Sequence, residues 1–395
     1  MIVFSEAQKL VIEQARSFGN EKISLDDAAG RVISEKIVAD RDYPPFDRAS
    51  VDGYAIRQSD WNAGLRTFLI REVIFAGKEP DASIEQGECY KIMTGAAVPA
   101  CADSIIRKED VAEWSGRIDC SLHVLNINQH IARRGEDVKM GHIISSEPLF
   151  CSPAVTGILA SIGKHEIVVE RLPQVCIITT GDEIISIDST PGAVQIRNSN
   201  RHVLKALLKK WNISPFYSMH VPDAIDEIRS ALQTAIQSDI IIICGGVSAG
   251  DADHVPGVLT TMGAKKIFHK VAIKPGKPIW FGKFDQGPIV FALPGNPLSC
   301  LVTFRLFIET FLFYSVGLKN PLQISLPLRG NRSKKSQLDE FFPVKITGIP
   351  SCLDIISFNG SGDITAAIQA DAIAKHPLMM PELVNGTILD TYPLF

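Results

Sequence analysis

The eight cysteines of this chain, Cys89, Cys101, Cys120, Cys151, Cys176, Cys244, Cys300 and Cys352, include no C-x-x-C pair. That scatter excludes a zinc ribbon and a disulfide framework, and makes a reducing cytoplasm the expected compartment. An excess of basic charge is also lacking: 40 Lys and Arg stand against 44 Asp and Glu, a net charge of −4. Broad binding to nucleic acid is thereby excluded, and any anion site must be a local basic cluster within an acidic whole. No secretory signal is expected either, since Met1 to Gly19 reads as an amphipathic helix with Ser5 as N-cap and Ala7, Leu10, Val11 and Ala15 on one face. The one segment with a membrane-like composition, Pro297 to Val316, carries Arg305 and Glu309 four residues apart, which marks a buried core or dimer-interface helix and no membrane contact. The common phosphate-binding loops are missing as well. Asp251 follows Gly250 where a P-loop needs Lys-Ser/Thr, and the spacing G-G-x-x-x-G is not that of a dinucleotide fingerprint.

What is present is concentrated between Ile240 and Pro297, where three apolar runs each end in a loop of Gly, Pro and charge. Ile240 to Cys244 is an unbroken apolar run of the kind buried on both faces of a sheet, and it leads into Gly245, Gly246, Val247, Ser248, Ala249, Gly250, Asp251, Ala252 and Asp253. Ile267 to Ile273 leads into Lys274-Pro275-Gly276-Lys277-Pro278, and Pro288 to Leu293 into Pro294-Gly295-Asn296-Pro297. Asn296 reads as an N-cap with Pro297 at the first helical position. Open α/β sheets bind ligands beyond the carboxyl ends of their strands, where helix amino termini attract anions. Glycines admit close backbone N–H groups, lysines add positive charge, and Asp251 and Asp253 offer hard oxygens. These residues point to a phosphate-bearing or other oxyanion ligand with Mg²⁺; ordinary tight connections are the structural alternative.

Along the chain, Ile23 to Arg31 reads as a short helix stopped by Gly30, Val32 to Val38 as a strand, and Tyr43 to Ala55 as irregular. Short β runs follow at Thr67 to Ile74, Glu88 to Met93, Ser104 to Arg107 and His123 to Ile127, suggesting an inserted β domain. Arg133-Arg134 reads as a solvated hairpin tip. A helix over Ala154 to Ile162 and a strand over Glu166 to Glu170 return to the first domain. Val175 to Thr180 opens an α/β domain and ends in Gly181-Asp182-Glu183; Asn198 or Asn200 caps the next helix, and Pro222-Asp223 the one after, with Ile225, Ile228, Leu232 and Ile236 packing on the sheet. Strands and helices then alternate as in a parallel three-layer sandwich. After Asn320-Pro321, β runs at Leu322 to Leu328, Phe341 to Ile346 and Asp354 to Phe358 form a last domain, whose Arg329, Arg332, Lys334 and Lys335 read as a solvated loop, with a ligand contact as the alternative. The expected fold is thus α/β plus β: an N-terminal α+β domain (1–45 and 142–172), an inserted β domain (46–141), a three-layer α/β sandwich (173–318) and a C-terminal β domain (319–395).

Seven stretches in order, Pro44-Pro45-Phe46-Asp47 with Ser50 to Ala55, Thr94-Gly95, Arg134 to Asp137, Thr180 to Glu183, Gly245 to Ser248, Lys274 to Pro278 and Leu293 to Pro297, resemble the molybdopterin molybdenumtransferase (MoeA-like) family. The resemblance runs from about residue 5 to about residue 318, and more loosely beyond, where Ala370 to Pro377 replaces a more apolar ending. It implies an elongated four-domain subunit and a homodimer with a composite site. The implied reaction joins adenylylated molybdopterin and molybdate to give molybdenum cofactor and AMP, with Mg²⁺. Molybdopterin adenylyltransferase and molybdoenzyme chaperones are the implied protein partners.

Carried over by position, Asp182, Glu183 and Asp253 become metal or pyrophosphate-side acids, with Asp223 nearby. Lys270, Lys274 and Lys277 would hold phosphate and molybdate; Gly245, Gly246, Ser248, Gly250, Gly295, Asn296 and Ser361 would meet the pterin nucleotide, with Pro294 and Pro297 walling the dithiolene. Asp52, Thr94 and Asp137 would complete the partner subunit's site. Two other readings start from the same residues: a molybdopterin adenylyltransferase, which the amino-terminal motifs oppose, and a non-catalytic pterin-binding scaffold, which the retained acids and lysines oppose. No residue visibly separates molybdate from tungstate.

Overall fold

The computed structural model describes residues 1–79, 83–120, 124–146, 148–248, 253–319 and 323–394. The chain divides into two compact units, one of Met1–Ser34, Pro148–Thr156 and Glu166–Phe395, the other of Glu35–Glu147 and Gly157–His165.

The second unit holds a six-stranded mixed sheet in the order Ser104–Arg107, Gly53–Ile56, Glu88–Ile92, Thr67–Ile74, Arg117–Cys120, Val111–Trp114. The Tyr43 to Ala55 stretch is therefore less irregular than its Pro, Asp and Gly content suggests: Arg48–Ala49 and Gly53–Ile56 are both paired strands. Residues 124–127 form no strand, and Val111–Trp114 with Arg117–Cys120 supplies the hairpin instead. Arg133 and Arg134 are exposed, as expected, and each also pairs with a carboxylate, Arg133 with Asp47 at 2.5 Å and Arg134 with Asp42 at 2.7 Å.

In the first unit the amino-terminal helix is Phe4–Glu13, with Val3 and not Ser5 at the N-cap. Burial of Phe4, Ala7 and Val11 fixes this start. Ile23 to Arg31 is mostly not helical: Asn20–Ser24 is a strand paired with Glu166–Glu170, and only Leu25–Asp27 makes a 3₁₀ turn. Val32–Ile33 is a separate short strand of this unit, and Ile37–Val38 another in the second unit.

The α/β sandwich contains a sheet in the order Tyr217–Val221, Val175–Thr180, Ile240–Cys244, Ile289–Leu293, Trp280–Lys283, Lys265–His269. The first four are parallel, and Trp280–Lys283 runs antiparallel to both its neighbours, so the sheet is mixed. Alternate residues bury on opposite faces, as a strand's period of two requires. Ile177, Ile240, Ile242, Phe291 and Leu293 pack with the helices Ser199–Lys209 and Pro297–Thr303, while Ile178, Ile241, Ile243 and Ala292 pack with Ile225–Ala235 and Val255–Thr261. Ile228 and Leu232 are buried as their spacing predicts, but Ile225 and Ile236 are exposed. The helix over Pro297–Ser315 is long and apolar enough to cross a membrane by length and composition, yet 78% of it is buried, with Arg305 paired to Glu309 at 2.9 Å. It is a core helix with a π turn at Phe304–Ile308.

The last sheet adds two strands that the sequence pattern hides, Ala372–His376 and Ile388–Pro393. Its strands run Ile273–Lys274, Asp339–Thr347, Cys352–Ile355, Ile324–Arg329, Ile388–Pro393, Ala372–His376, and Asp339–Thr347 also pairs with Ala372–His376. Five strands thereby close on themselves. The two-residue strand Ile273–Lys274, from the α/β region, joins as an outer neighbour, in parallel register with Asp339–Glu340.

Candidate functional site

Strand order places the site. From Val175–Thr180 the chain goes first to one side, to Tyr217–Val221, and then to the other, to Ile240–Cys244. Ligands of open α/β sheets occupy the crevice at such a switch point, beyond the carboxyl ends of the strands. Here that crevice is a cavity of about 880 Å³, whose lining includes Thr180, Asn200, Asp223, Gly246 and Asn296.

The glycines let the loops close in on this cavity. Gly245 has φ +110°, and a Cβ there would lie 2.5 Å from the Thr180 carbonyl oxygen; Gly246 has φ +64°, and a Cβ there would meet Val255 Cγ2 at 2.9 Å and Thr180 Oγ1 at 3.0 Å. Neither position accepts a larger residue without displacing backbone or packed side chains.

Asn200 Oδ1 is buried at the cavity without a hydrogen-bond partner, and Thr180 Oγ1 and Asp223 Oδ1 are buried beside each other with no other partner. Buried polar atoms are normally satisfied, so such a group calls for a ligand or water. Asn200 is oriented by its own amide, since Nδ2 donates to the Gly295 carbonyl at 2.5 Å, leaving Oδ1 to accept. Asn198, not Asn200, caps the helix, its side chain accepting from Arg201 N.

Asp223 is not a helix cap; Ala224 occupies that position. The Asp223 backbone N–H instead donates to Asp182 Oδ1 at 3.1 Å. Burial pushes the Asp223 carboxyl above its ordinary value; the Thr180 hydroxyl opposes this, and the charges of Asp182, Glu183 and Asp253 add to the rise. Four carboxylates thus share one end of the crevice. Among the described residues no group of three or more His, Cys, Asp or Glu side chains is arranged to hold a metal on its own. Mg²⁺ commonly takes only one or two carboxylates and completes its shell with water and substrate phosphates, so acids placed in this way fit it.

A second cavity, of about 560 Å³, shares Pro278, Pro294 and Asn296 with the first. Lys274, Lys277, Ser361, Arg332 and Glu340 line it together with Phe341 and Phe358. Asn296 Nδ2 donates to Ser361 Oγ at 2.8 Å, which leaves the Ser361 hydroxyl proton free to point at a ligand. Asn296 is the N-cap of its helix by position, with Pro297 beginning the helix, although its side chain makes no capping bond.

The expected residues therefore separate. Glu183, Asp223, Asp253, Gly245, Gly246, Ser248, Gly295 and Pro297 line the first cavity, Lys274, Lys277 and Ser361 the second, and Pro294 and Asn296 both. Asp182 stands behind Asp223. Lys270 lines neither; it sits at φ +70° with its N–H bonded to the Ile279 carbonyl. Gly250 lies outside the described residues. Asp52, Thr94 and Asp137 belong to the other compact unit, where Asp52 Oδ1 accepts from Thr94 N at 2.9 Å and Thr94 Oγ1 at 2.7 Å, and Lys108 approaches Oδ2 at 3.3 Å. Those bonds, the Thr94 N–H first, hold the Asp52 carboxyl at about 2.

Sequence reasoning missed Thr180, Asn200, Arg332 and Glu340. Arg332 is not solvated: its guanidinium donates to Glu340 Oε2 at 2.6 Å and to His376 Nδ1 at 2.6 Å, and lies 4.3 Å from the Phe342 ring centroid. Lys334 is likewise engaged, with the Leu338 and Pro377 carbonyls at 2.6 and 2.7 Å. Only Glu340, eight residues on, and the distant His376 could have signalled this, and they come from other strands.

A glycine-bounded crevice at a sheet's switch point, acidic at one end and joined to a basic cavity, defines an α/β protein with a site built for a small polar ligand. Comparison with known proteins narrows the class. Residues 2–163 match the MoeA N-terminal region (domain I and II), and residues 176–313 the probable molybdopterin binding domain. A molybdopterin molybdenumtransferase of Synechocystis sp. is 30% identical over 99% of this chain and 100% of its own length. One from Haemophilus influenzae is 34% identical over 81% of this chain and 79% of its own length. The crystal structure of the molybdopterin biosynthesis moeA protein from Pyrococcus horikoshii OT3 superposes with a TM-score of 0.84, at 27% identity, covering both chains completely. The chain belongs to the molybdopterin molybdenumtransferase family, a family of transferases of molybdenum cofactor biosynthesis.

Proposed function

We propose that the protein inserts molybdate into adenylylated molybdopterin with Mg²⁺-dependent release of AMP. The observation that carries this reading is the junction of the two cavities at Pro278, Pro294 and Asn296. A pterin nucleotide in the larger one brings its dithiolene to that junction, beside an oxyanion held by Lys274, Lys277 and Ser361. Asn200 Oδ1 supplies an unpaired acceptor for the nucleotide, Thr180 lies beside it in the lining, and Gly245 and Gly246 let the loop pass close to its path.

The overall step uses water to cleave the phosphoanhydride, so the phosphate leaves as AMP and the pterin phosphate regains an oxygen. Asp182, Glu183 and Asp253 would hold Mg²⁺, which would neutralise the pyrophosphate charge as bonds to phosphorus shift. The lysines and the Ser361 hydroxyl orient molybdate, and the proline walls keep water from the dithiolene. In this reading the enzyme is a cytoplasmic homodimer. Asp52, Thr94 and Asp137 complete the site of the partner subunit, and the adenylyltransferase upstream and molybdoenzyme chaperones downstream are its protein partners.

The test is AMP release from adenylylated molybdopterin with Mg²⁺, with and without molybdate or tungstate, coupled to reconstitution of a cofactor-free molybdoenzyme. Oxyanion-stimulated release with reconstitution is expected, and the stronger oxyanion identifies the metal preference. Pterin binding without turnover would replace this reading by a scaffold. Mixed dimers of Asp52→Ala and Lys274→Ala chains should regain activity that neither parent has, and verified heterodimers without recovery would sink the composite site.

A further inference from the structure

The basic cavity contains a carboxylate, which a site for a dianion should avoid. Glu340 lines it, and its side chain is only 8% exposed. The parallel register of Ile273–Lys274 with Asp339–Glu340 sets Lys274 directly beside Glu340, and the Lys274 ammonium reaches Glu340 Oε1 at 3.3 Å. The two ends of this ion pair are held very differently.

Glu340 is fixed. Arg332 donates to Oε2 at 2.6 Å and Ser336 Oγ to Oε1 at 2.7 Å. Arg332 in turn is pinned by His376, whose Nδ1 faces a group that can only donate and so must accept. The other ring nitrogen lies 2.7 Å from the Met380 carbonyl and must therefore carry the proton, so the imidazole is neutral; burial pushes its pKa down in the same sense. Burial alone would raise the Glu340 carboxyl, but the bonds from Arg332 and Ser336, with the charges of Arg332 and Lys274, bring it to about 2. Glu340 is thus charged throughout the working pH range. Lys274, by contrast, has a side chain 62% exposed and, among the described residues, one long contact, to Glu340.

We propose that Glu340 is a positioning residue for the oxyanion: it holds the Lys274 ammonium at the cavity while the site is empty and yields it to the incoming tetrahedral dianion. The inference rests on the oxyanion reading of this cavity given above. Oxyanion binding is then an exchange of carboxylate for dianion on Lys274. Arg332 and Ser336 keep Glu340 in place afterwards, so the displaced carboxylate does not follow the lysine. The affinity is set below what three basic groups would give alone, which favours release of the metal to the pterin.

The test is calorimetric titration of molybdate, and separately of tungstate, into the full-length protein, with circular dichroism confirming the fold of each variant. Glu340→Gln should bind molybdate about two- to fivefold more tightly, the range an exposed ion pair supports. In a Lys274→Met background the same change should leave affinity unaltered, because Glu340 acts through that ammonium. Glu340→Asp keeps the charge beside Arg332 but withdraws it from Lys274, and should also tighten binding if Glu340→Gln does not fold. Unchanged or weaker binding in folded Glu340 variants would make the carboxylate a mere brace and overturn the proposal. Equal tightening with Lys274→Met present would overturn it too, by assigning the effect to the general field of the charge. A wild-type protein that binds neither oxyanion would refute the cavity assignment itself, and this inference with it.

Discussion

The amide of Asn200 spans two elements of the crevice, giving its N–H to the Gly295 carbonyl at 2.5 Å while its oxygen faces no partner. This arrangement distinguishes the two ends of the side chain. Asn200→Asp removes the donor and sets a carboxylate against a carbonyl oxygen, and a buried acceptor left without its donor costs about 1–3 kcal/mol. We expect a lower melting temperature for Asn200→Asp and at least tenfold weaker pterin nucleotide binding, measured by differential scanning calorimetry and fluorescence titration. Asn200→Ala should lose binding with the smaller stability cost.

Gly246 tests the close approach of the loop. Alanine there combines a left-handed φ of +64° with a contact of 2.9 Å to Val255 Cγ2, and strain of this kind costs about 1–3 kcal/mol. Urea unfolding of Gly246→Ala should show that loss, and AMP release should fall by more than tenfold because Thr180 and the loop N–H groups are displaced. Full activity with unchanged stability would contradict the geometry.

Asp223 carries a pH signature. Its folded carboxyl titrates above the ordinary value, so the unfolded chain releases that proton first as pH rises. Its ionisation therefore subtracts stability progressively from the ordinary carboxylate value upward, and the penalty is complete above the raised value. Asp223→Asn should melt at a higher temperature than wild type at pH 7 and at the same temperature near pH 3. Mg²⁺ at millimolar concentration should raise the wild-type melting temperature at pH 7, and less so that of Asp253→Ala.

The Asp52 carboxyl shows the opposite sign. Held at about 2 by the Thr94 N–H and hydroxyl and by Lys108, it contributes its interaction above the ordinary carboxylate value and loses it as pH falls toward 2. Thr94→Val removes the hydroxyl bond at 2.7 Å but leaves the backbone bond at 2.9 Å. Carbon-13 NMR titration of the Asp52 carboxyl should show its midpoint moving up, part of the way to the ordinary value.

Where local pattern and tertiary role agree, the sequence was transparent. Ile240 to Cys244 and Ile289 to Leu293 are buried on both faces, and continuous apolar runs say so. Trp280–Lys283 was hidden because Gly282 resembles a strand breaker, yet a Cβ there would lie 2.4 Å from the Lys265 carbonyl oxygen, so the strand needs the glycine. Ala372–His376 was hidden because Lys and His are not strand signals; His376 is fully buried only because Arg332 and the Met380 carbonyl satisfy it. The site followed the same division. Glycines, prolines and lysines at strand ends could be placed by local spacing, whereas the roles of Asn200 and Glu340 depend on Gly295 and Lys274, far away along the chain.

Ile273–Lys274 belongs to the last sheet in its hydrogen bonding but to the α/β region in its position along the chain. Asp339 N donates to the Ala272 carbonyl at 3.0 Å, and Ala272 N to the Ile2 carbonyl at 2.8 Å, so three distant parts of the sequence meet at one short segment. Melting any one of them strips backbone partners from the other two. Heat should therefore dismantle the sandwich, the closed five-stranded sheet and the amino-terminal helix in a single step, and Lys274 should remain ordered until that step begins.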